Sequence, residues 1–190
     1  MNRALLATDL SKASDLLFDG LEQYRSLGIE HISLLHIPAI SFNYMEYSGY
    51  SMRVHIEARM IALRNRVVDM GMSCQFVFRE GLPSQEIVDY AHAQSFDLII
   101  MGSKGQGFFK RNLIGSTTLR VIQQSRIPVL MMRIRSLGED SKGEHQCALD
   151  APDLTRNALL LTDFSRHAGE AFRFAEDHLV EHLQGLSLMH

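Results

Sequence analysis

The sequence predicts an α/β fold: a five-stranded parallel sheet with helices on both faces, followed by a partial β-α-β repeat. Three observations carry that expectation. Short apolar runs alternate with longer segments of helical period over residues 3–133. The runs are apolar at consecutive positions, the pattern of strands covered on both sides. The octapeptide ALLATDLS at 4–11 then returns as ALLLTDFS at 158–165.

RALLATD opens the chain as a buried strand ended by Asp9. Ser11 is placed to cap the helix that follows; its apolar residues Leu16, Leu17, Leu21 and Tyr24 recur at helical spacing, and Gly28 closes it. Asp9 is placed to cap that helix as well as to face a ligand. HISLLHI is the second strand, stopped by Pro38, and residues 38–52 read as an aromatic-rich loop without period. A second helix runs from Arg53 to Gly71, and SCQFVFRE is the third strand. Gly81 and Pro83 punctuate the chain there. Proline suits the first turn of a helix, so SQEIVDYAHAQ begins beside it. FDLIIMG is the fourth strand. A glycine-rich loop, the helix STTLRVIQQS and the fifth strand IPVLMMR follow. In such sheets ligands bind beyond the carboxyl ends of the strands, where strand order reverses. Asp9, the loop after Ile37 and the glycine loop all leave such ends.

Residues 136–156 are polar, acidic and glycine-containing, and read as a linker. Beyond them the repeat keeps its register. Phe18 matches Phe172, Glu22 matches Glu176, and SLLH at 33–36 matches SLMH at 187–190. The expected organisation is a domain over 1–135, a linker over 136–156, and the start of a second, incomplete copy over 157–190. One β-α-β unit cannot cover both faces of its own sheet. The second copy is therefore expected to belong to a longer tandem protein, or to dock on the first domain or a partner chain.

A net charge of −3 gives no general reason to expect nucleic acid or an anionic membrane as partner. No apolar run reaches the length of a bilayer span, and MNRALLATDLS lacks the apolar stretch of a signal peptide. Cys74 and Cys147 have no metal-ligand spacing and build no disulfide framework, which fits a reducing compartment. A cytoplasmic protein is expected. The histidines show no metal spacing, and His36 and His190, ending matched strands, read as packing residues.

The stretch MGSKGQGFFKRNLIGSTT at 101–118 carries the functional signal. A glycine-rich loop between strand and helix is a common phosphate site, because the first helical N–H groups are unpaired and the dipole is positive there. A flexible strand-to-helix connection is the bland alternative. Two well-known phosphate motifs fail. Gly102 and Gly107 have Walker A spacing, but Phe108 stands where its lysine belongs. Gly105 and Gly107 begin a dinucleotide fingerprint, but Lys110 replaces its last glycine. From Leu98 to Gly138 there is no acidic residue, whereas Lys104, Lys110, Arg111, Arg120, Arg126, Arg133 and Arg135 are all basic. An anion suits such a segment.

What is present is Gly102, two residues, Gly105, nine residues, then Gly115-Ser116. This spacing resembles the signature of the nucleotide-binding subgroup of the universal stress protein family. Its place after DLIIMGS and before a helix and a PVL strand is also similar, as are ATDLS after the first strand and EGLP at 80–83. The resemblance covers 1–135 and, through the repeat, 157–190. It implies a Rossmann-like fold of the adenine nucleotide alpha hydrolase type, and a site for ATP, ADP or AMP with magnesium as an accompanying ion. Thr8 and Asp9 resemble positions near base and ribose, and Ile37 one whose backbone meets adenine. Met101, Gly102, Lys104 and Gly105 resemble the wall along ribose and phosphates. Gly115, Ser116, Thr117 and Thr118 resemble the phosphate clamp. Ala7 departs from a proline often found there. The resemblance further implies a homodimer through the last strand, here residues 127–133.

No catalytic constellation is visible, since Ser103 and Ser116 have no evident His or Asp partners in the sequence. The expected function is that of an adenine-nucleotide-binding universal stress protein, a nucleotide-responsive stress or signalling module with at most slow ATP hydrolysis. The alternative is a non-catalytic dimerising scaffold without bound nucleotide.

Overall fold

The computed structural model describes residues 1–38, 48–104, 114–140, 145–150 and 153–190. β1 (Arg3–Ala7) leads through α1 (Lys12–Asp15), a 3-10 turn (Leu16–Gly20) and α2 (Leu21–Ser26) to β2 (His31–His36). Then come α3 (Ser48–Asp69), β3 (Ser73–Phe78), α4 (Pro83–Ala93), β4 (Leu98–Gly102), α5 (Ser116–Gln124) and β5 (Val129–Glu139). β6 (His145–Asp150), β7 (Asn157–Leu161), α6 (Arg166–His178), a 3-10 turn (Val180–His182) and β8 (Gly185–Met189) follow.

The main sheet has six strands, in the order β3-β2-β1-β4-β5-β6, rather than the five expected. β1 to β5 are parallel, and β6 runs antiparallel to Arg133–Glu139 of β5. The extra strand comes from the stretch read as a linker. Its polar composition hides an edge-strand alternation in HQCALD, with Cys147 and Leu149 half-buried. Leu149 packs against the main core, and Asp150 pairs with Arg133 and Arg135. The same pairing carries β5 on to Glu139, past the end expected for it.

Each central strand feeds two cores. On β1, Ala4 and Leu6 join Leu17, Phe18, Tyr24, Met60 and Val67 under α1–α3, while Leu5 joins Ile87, Ala91 and Val121 under α4 and α5. On β4, Leu98 and Ile100 face the first group, Ile99 and Met101 the second. Leu5, Leu6, Ile99 and Ile100 are all 0% exposed, which is why these strands are apolar without alternation. Each such side chain contributes about 1.5–3 kcal/mol by burial.

The first helix is not continuous. A Cβ on Gly20 would lie 2.8 Å from the Tyr24 hydroxyl, and that hydroxyl donates to the Leu17 carbonyl at 3.0 Å. Glycine thus admits the buried Tyr24 ring, and a tightened turn replaces regular helix between α1 and α2. β7 and β8 form a separate two-stranded parallel sheet. Its register, Asn157↔Gly185 to Leu161↔Met189, matches Arg3↔His31 to Ala7↔Leu35. Among the described residues no helix is long and apolar enough to cross a membrane.

Candidate functional site

The chain builds β1, β2 and β3 in one direction, then crosses back to place β4 on the other side of β1. The reversal opens a crevice beyond the carboxyl ends of these strands, as parallel sheets do at a switch point. It has a volume of about 260 Å³. Ala7, Thr8, Asp9 and Ser14 line it from the β1 side, Leu35 and Ile37 from β2, and Pro83 and Ile87 from α4. Met101, Gly102 and Lys104 line it from β4, and Gly115, Ser116, Thr117 and Thr118 from the start of α5.

The β1 side is fixed by a tight polar turn. Thr8 Oγ1 accepts the Leu10 N–H at 3.0 Å, and Asp9 Oδ1 accepts the Ser11 N–H at 3.0 Å. Leu10 sits at φ 58, a left-handed conformation costing roughly 1–2 kcal/mol for a residue with a side chain. Ser11 then caps α1 by accepting the Ser14 N–H at 3.1 Å. The Ser14 hydroxyl lies 3.0 Å from Thr8 Oγ1, so both hydroxyls at the crevice floor are engaged and oriented. Beneath them the Thr8 carbonyl is 2.9 Å from His36 Nδ1. His36 is 6% exposed, and burial holds its pKa below the usual imidazole value, with the Thr8 bond opposing part of that shift.

Arg59 of α3 reaches this turn from outside the crevice. Its Nη1 donates to the Leu10 carbonyl at 2.5 Å and its Nη2 to Asp15 Oδ2 at 2.6 Å. Asp15 Oδ1 is buried and lacks a hydrogen-bond partner among the described residues. Burial raises the Asp15 pKa, and the charges of Arg59 and Arg66 pull it back.

On the opposite wall, Gly115 N–H donates to the Ser103 carbonyl at 2.8 Å, closing β4 onto the start of α5. Thr118 Oγ1 donates to the Gly102 carbonyl at 2.8 Å. The first-turn N–H groups of α5 lie beyond the reach of intrahelical carbonyls and stand where the dipole is positive. Two glycines here differ in kind. A Cβ on Gly102 would come within 2.7 Å of Ile134 Cδ1 and 3.1 Å of the Lys104 carbonyl, so a side chain there would have to displace its neighbours. Gly115 has φ −60, and a Cβ there would meet nothing described closer than the Ser103 carbonyl at 3.6 Å. A Cβ at 115 would make ordinary contacts, and Gly115 itself lines the crevice.

The crevice thus gathers Thr8, Asp9, Ile37, Met101, Gly102, Lys104, Gly115, Ser116, Thr117 and Thr118. Gly105, Lys110 and Arg111 lie outside the described residues. Ser14, Leu35, Pro83 and Ile87 line the crevice without having been singled out as contacts. Ser14 carried a signal, three residues after a serine cap; Leu35 and Ile87 read only as core. Ser103 is 6% exposed and its hydroxyl accepts the Ile134 N–H at 2.9 Å, a structural role. Among the described residues no three His, Cys, Asp or Glu side chains cluster as metal ligands. Asp9 alone among the described lining residues offers a carboxylate. That set does not make a protein cage for magnesium, which favours several oxygen ligands.

The universal stress protein family model matches residues 1–133. Universal stress protein MJ0577 of Methanocaldococcus jannaschii is 24% identical, over 69% of this chain and 94% of its own. A universal stress protein structure from Archaeoglobus fulgidus matches with a TM-score of 0.71 at 24% identity. It covers 98% of this chain, while this chain covers only 64% of that longer one. A universal stress protein solved in complex with cAMP matches at TM-score 0.53 and 20% identity, over 70% of this chain and 96% of its own. Another, from Archaeoglobus fulgidus and solved in complex with dAMP, matches at 0.50 and 17%, over 69% and 96%. At these identities the structures establish the shared fold.

Proposed function

Because this chain belongs to the universal stress protein family, we propose that it binds an adenine nucleotide in the crevice and acts as a nucleotide-responsive stress or signalling module. One observation carries the proposal: the described residues that the resemblance sets around a nucleotide, from Thr8 and Asp9 to Gly115–Thr118, line one crevice at the switch point. The crevice is also divided as a nucleotide requires. Ala7, Leu35, Ile37, Pro83 and Ile87 are apolar lining that suits a base, and Asp9 offers a carboxylate to ribose hydroxyls. Lys104, the α5 N-terminus and the hydroxyls of Ser116 and Thr117 suit phosphate, while Thr118 holds the loop through the Gly102 carbonyl. Complexes of two relatives with cAMP and dAMP support adenine as the base. ATP, ADP and AMP share these groups, and a magnesium ion would rest on phosphate oxygens. This reading includes at most slow hydrolysis of ATP.

The same reading includes a homodimer through residues 127–133. β6 covers β5 only from Arg133 onward, so the outer edge at Val129–Met131 has no strand partner among the described residues. Light scattering is expected to show a dimer, and a monomer at high concentration would overturn this part.

The test of the site is calorimetric titration of ATP, ADP and AMP into the wild-type protein and Gly115→Val. The wild type should bind at least one of them saturably. Gly115→Val should fold, since a Cβ at 115 makes only ordinary contacts and the backbone there has φ −60, and lose binding. A variant that binds as well as the wild type would remove the crevice as the site. A wild type that binds none would leave the scaffold alternative.

A further inference from the structure

The Thr8–Ser11 turn is attached to α3 by the Arg59 guanidinium, which also holds Asp15. In the second β-α-β unit, Thr162 Oγ1 accepts the Phe164 N–H at 3.1 Å, and Asp163 Oδ1 accepts the Ser165 N–H at 2.8 Å. Ser165 caps α6 by accepting the Ala168 N–H at 3.2 Å, and Phe164 takes the same φ of 58 as Leu10. The turn therefore forms from its own four residues. Gly169 stands where Asp15 stands in the first unit, so the carboxylate arm of the device is particular to the first turn. There a guanidinium sits on the strained residue, held by a half-buried carboxylate. Since the turn does not need Arg59 to exist, Arg59 must serve where the turn sits.

We propose that Arg59, locked between the Leu10 carbonyl and Asp15, is a positioning residue for the nucleotide site. It lies outside the described lining of the crevice. The planar fork spans two acceptors at once, which a lysine cannot do with one point charge. It ties the turn that presents Thr8 and Asp9 to α3, whose Met60, Leu63 and Val67 are anchored in the main core. Asp9 is thereby held at a fixed distance from the α5 end of the crevice, so a ligand spanning both walls need not order the turn on binding.

The proposal rests on the nucleotide reading, and its test separates the two. AMP is titrated into the wild type, Arg59→Ala and Arg59→Lys, and amide hydrogen exchange is followed at Ser11, with Ile100 in the core of β4 as internal reference. Arg59→Ala should bind AMP about tenfold more weakly, the scale of coupling between residues in one hydrogen-bond network. Arg59→Lys should recover part of the loss. Ser11 should exchange faster in Arg59→Ala while Ile100 is unchanged. Wild-type affinity in Arg59→Ala overturns the proposal, as does equal acceleration at Ser11 and Ile100, which marks a general loss of stability. If the wild type binds none of AMP, ADP and ATP, the nucleotide reading fails, and Ser11 exchange alone decides whether Arg59 fixes the turn: selective acceleration upholds that role, and unchanged exchange overturns it.

Discussion

The β1–α2–β2 and β7–α6–β8 units share a sequence pattern, a strand register and a turn, and they differ in what surrounds them. Leu10 and Phe164 have the same left-handed φ of 58, yet Leu10 is 7% exposed and Phe164 79%. Leu5 is 0% exposed and Leu159 56%. The turn is a local object, made by Thr, Asp and Ser side chains within four residues of one another. The crevice is not. It needs β4 and α5 against the same turn, and those elements flank only the first unit. A binding motif at a strand end is thus half a site, and the other half lies about ninety residues away in the chain, at Met101 to Thr118.

Matched substitutions test that contrast, and core truncation should give the largest effect. Leu5→Ala removes a fully buried side chain packed under α4 and α5 and should cost about 2–5 kcal/mol. Leu159→Ala, at the matching position, should fall within about 0.5 kcal/mol, as exposed substitutions do. Urea unfolding midpoints at constant m report both. A large cost for Leu159→Ala would break the comparison, because it would mean that a second molecule covers the β7–β8 face in solution.

Next comes function. Asp9→Ala should weaken AMP binding by about tenfold or more, the worth of one hydrogen bond to a charged group. Asp163→Ala should leave it unchanged, although both carboxylates accept the same serine N–H in the same kind of turn. Equal effects would show that local motif, not position in the sheet, decides binding.

These two units also show what was legible in the sequence. The central strands were plain because Leu5-Leu6 and Ile99-Ile100 are buried on both sides and so read as unbroken apolar runs. The crevice residues were legible because glycine spacing and strand ends coincide with the switch point that an α/β chain order imposes. β6 was hidden, since an edge strand with one half-buried face needs few apolar residues, and HQCALD offers little beyond Cys147 and Leu149. The break in the first helix depends on Tyr24 folding back over Gly20, a contact that no periodicity reports. Arg59 has no signal in the sequence, because its partner atoms, the Leu10 carbonyl and an Asp15 carboxylate oxygen, belong to another segment.

The smallest effect expected is in pH dependence, and it again separates matched residues. His36 and His190 end equivalent strands, but His36 lies under the crevice floor while His190 is exposed and packs near Phe164. Burial lowers the His36 pKa from 6.5, so the unfolded chain takes up its proton at higher pH than the folded protein does. The contribution of neutral His36 is then complete above pH 6.5 and is lost as pH falls toward the lower folded value. Between about pH 7 and about pH 5.5, where imidazoles titrate, the wild-type Tm should fall more than that of His36→Asn. Asparagine keeps a side-chain N–H for the Thr8 carbonyl but has no titrating ring. The difference should be a few degrees, because about 1 kcal/mol moves Tm by about 2–4 °C in a chain of this size. His190→Asn is the matched control and should keep the wild-type slope. An identical slope in all three proteins would mean that the acid sensitivity arises elsewhere, and that the bond from His36 to the crevice floor does not sense the proton.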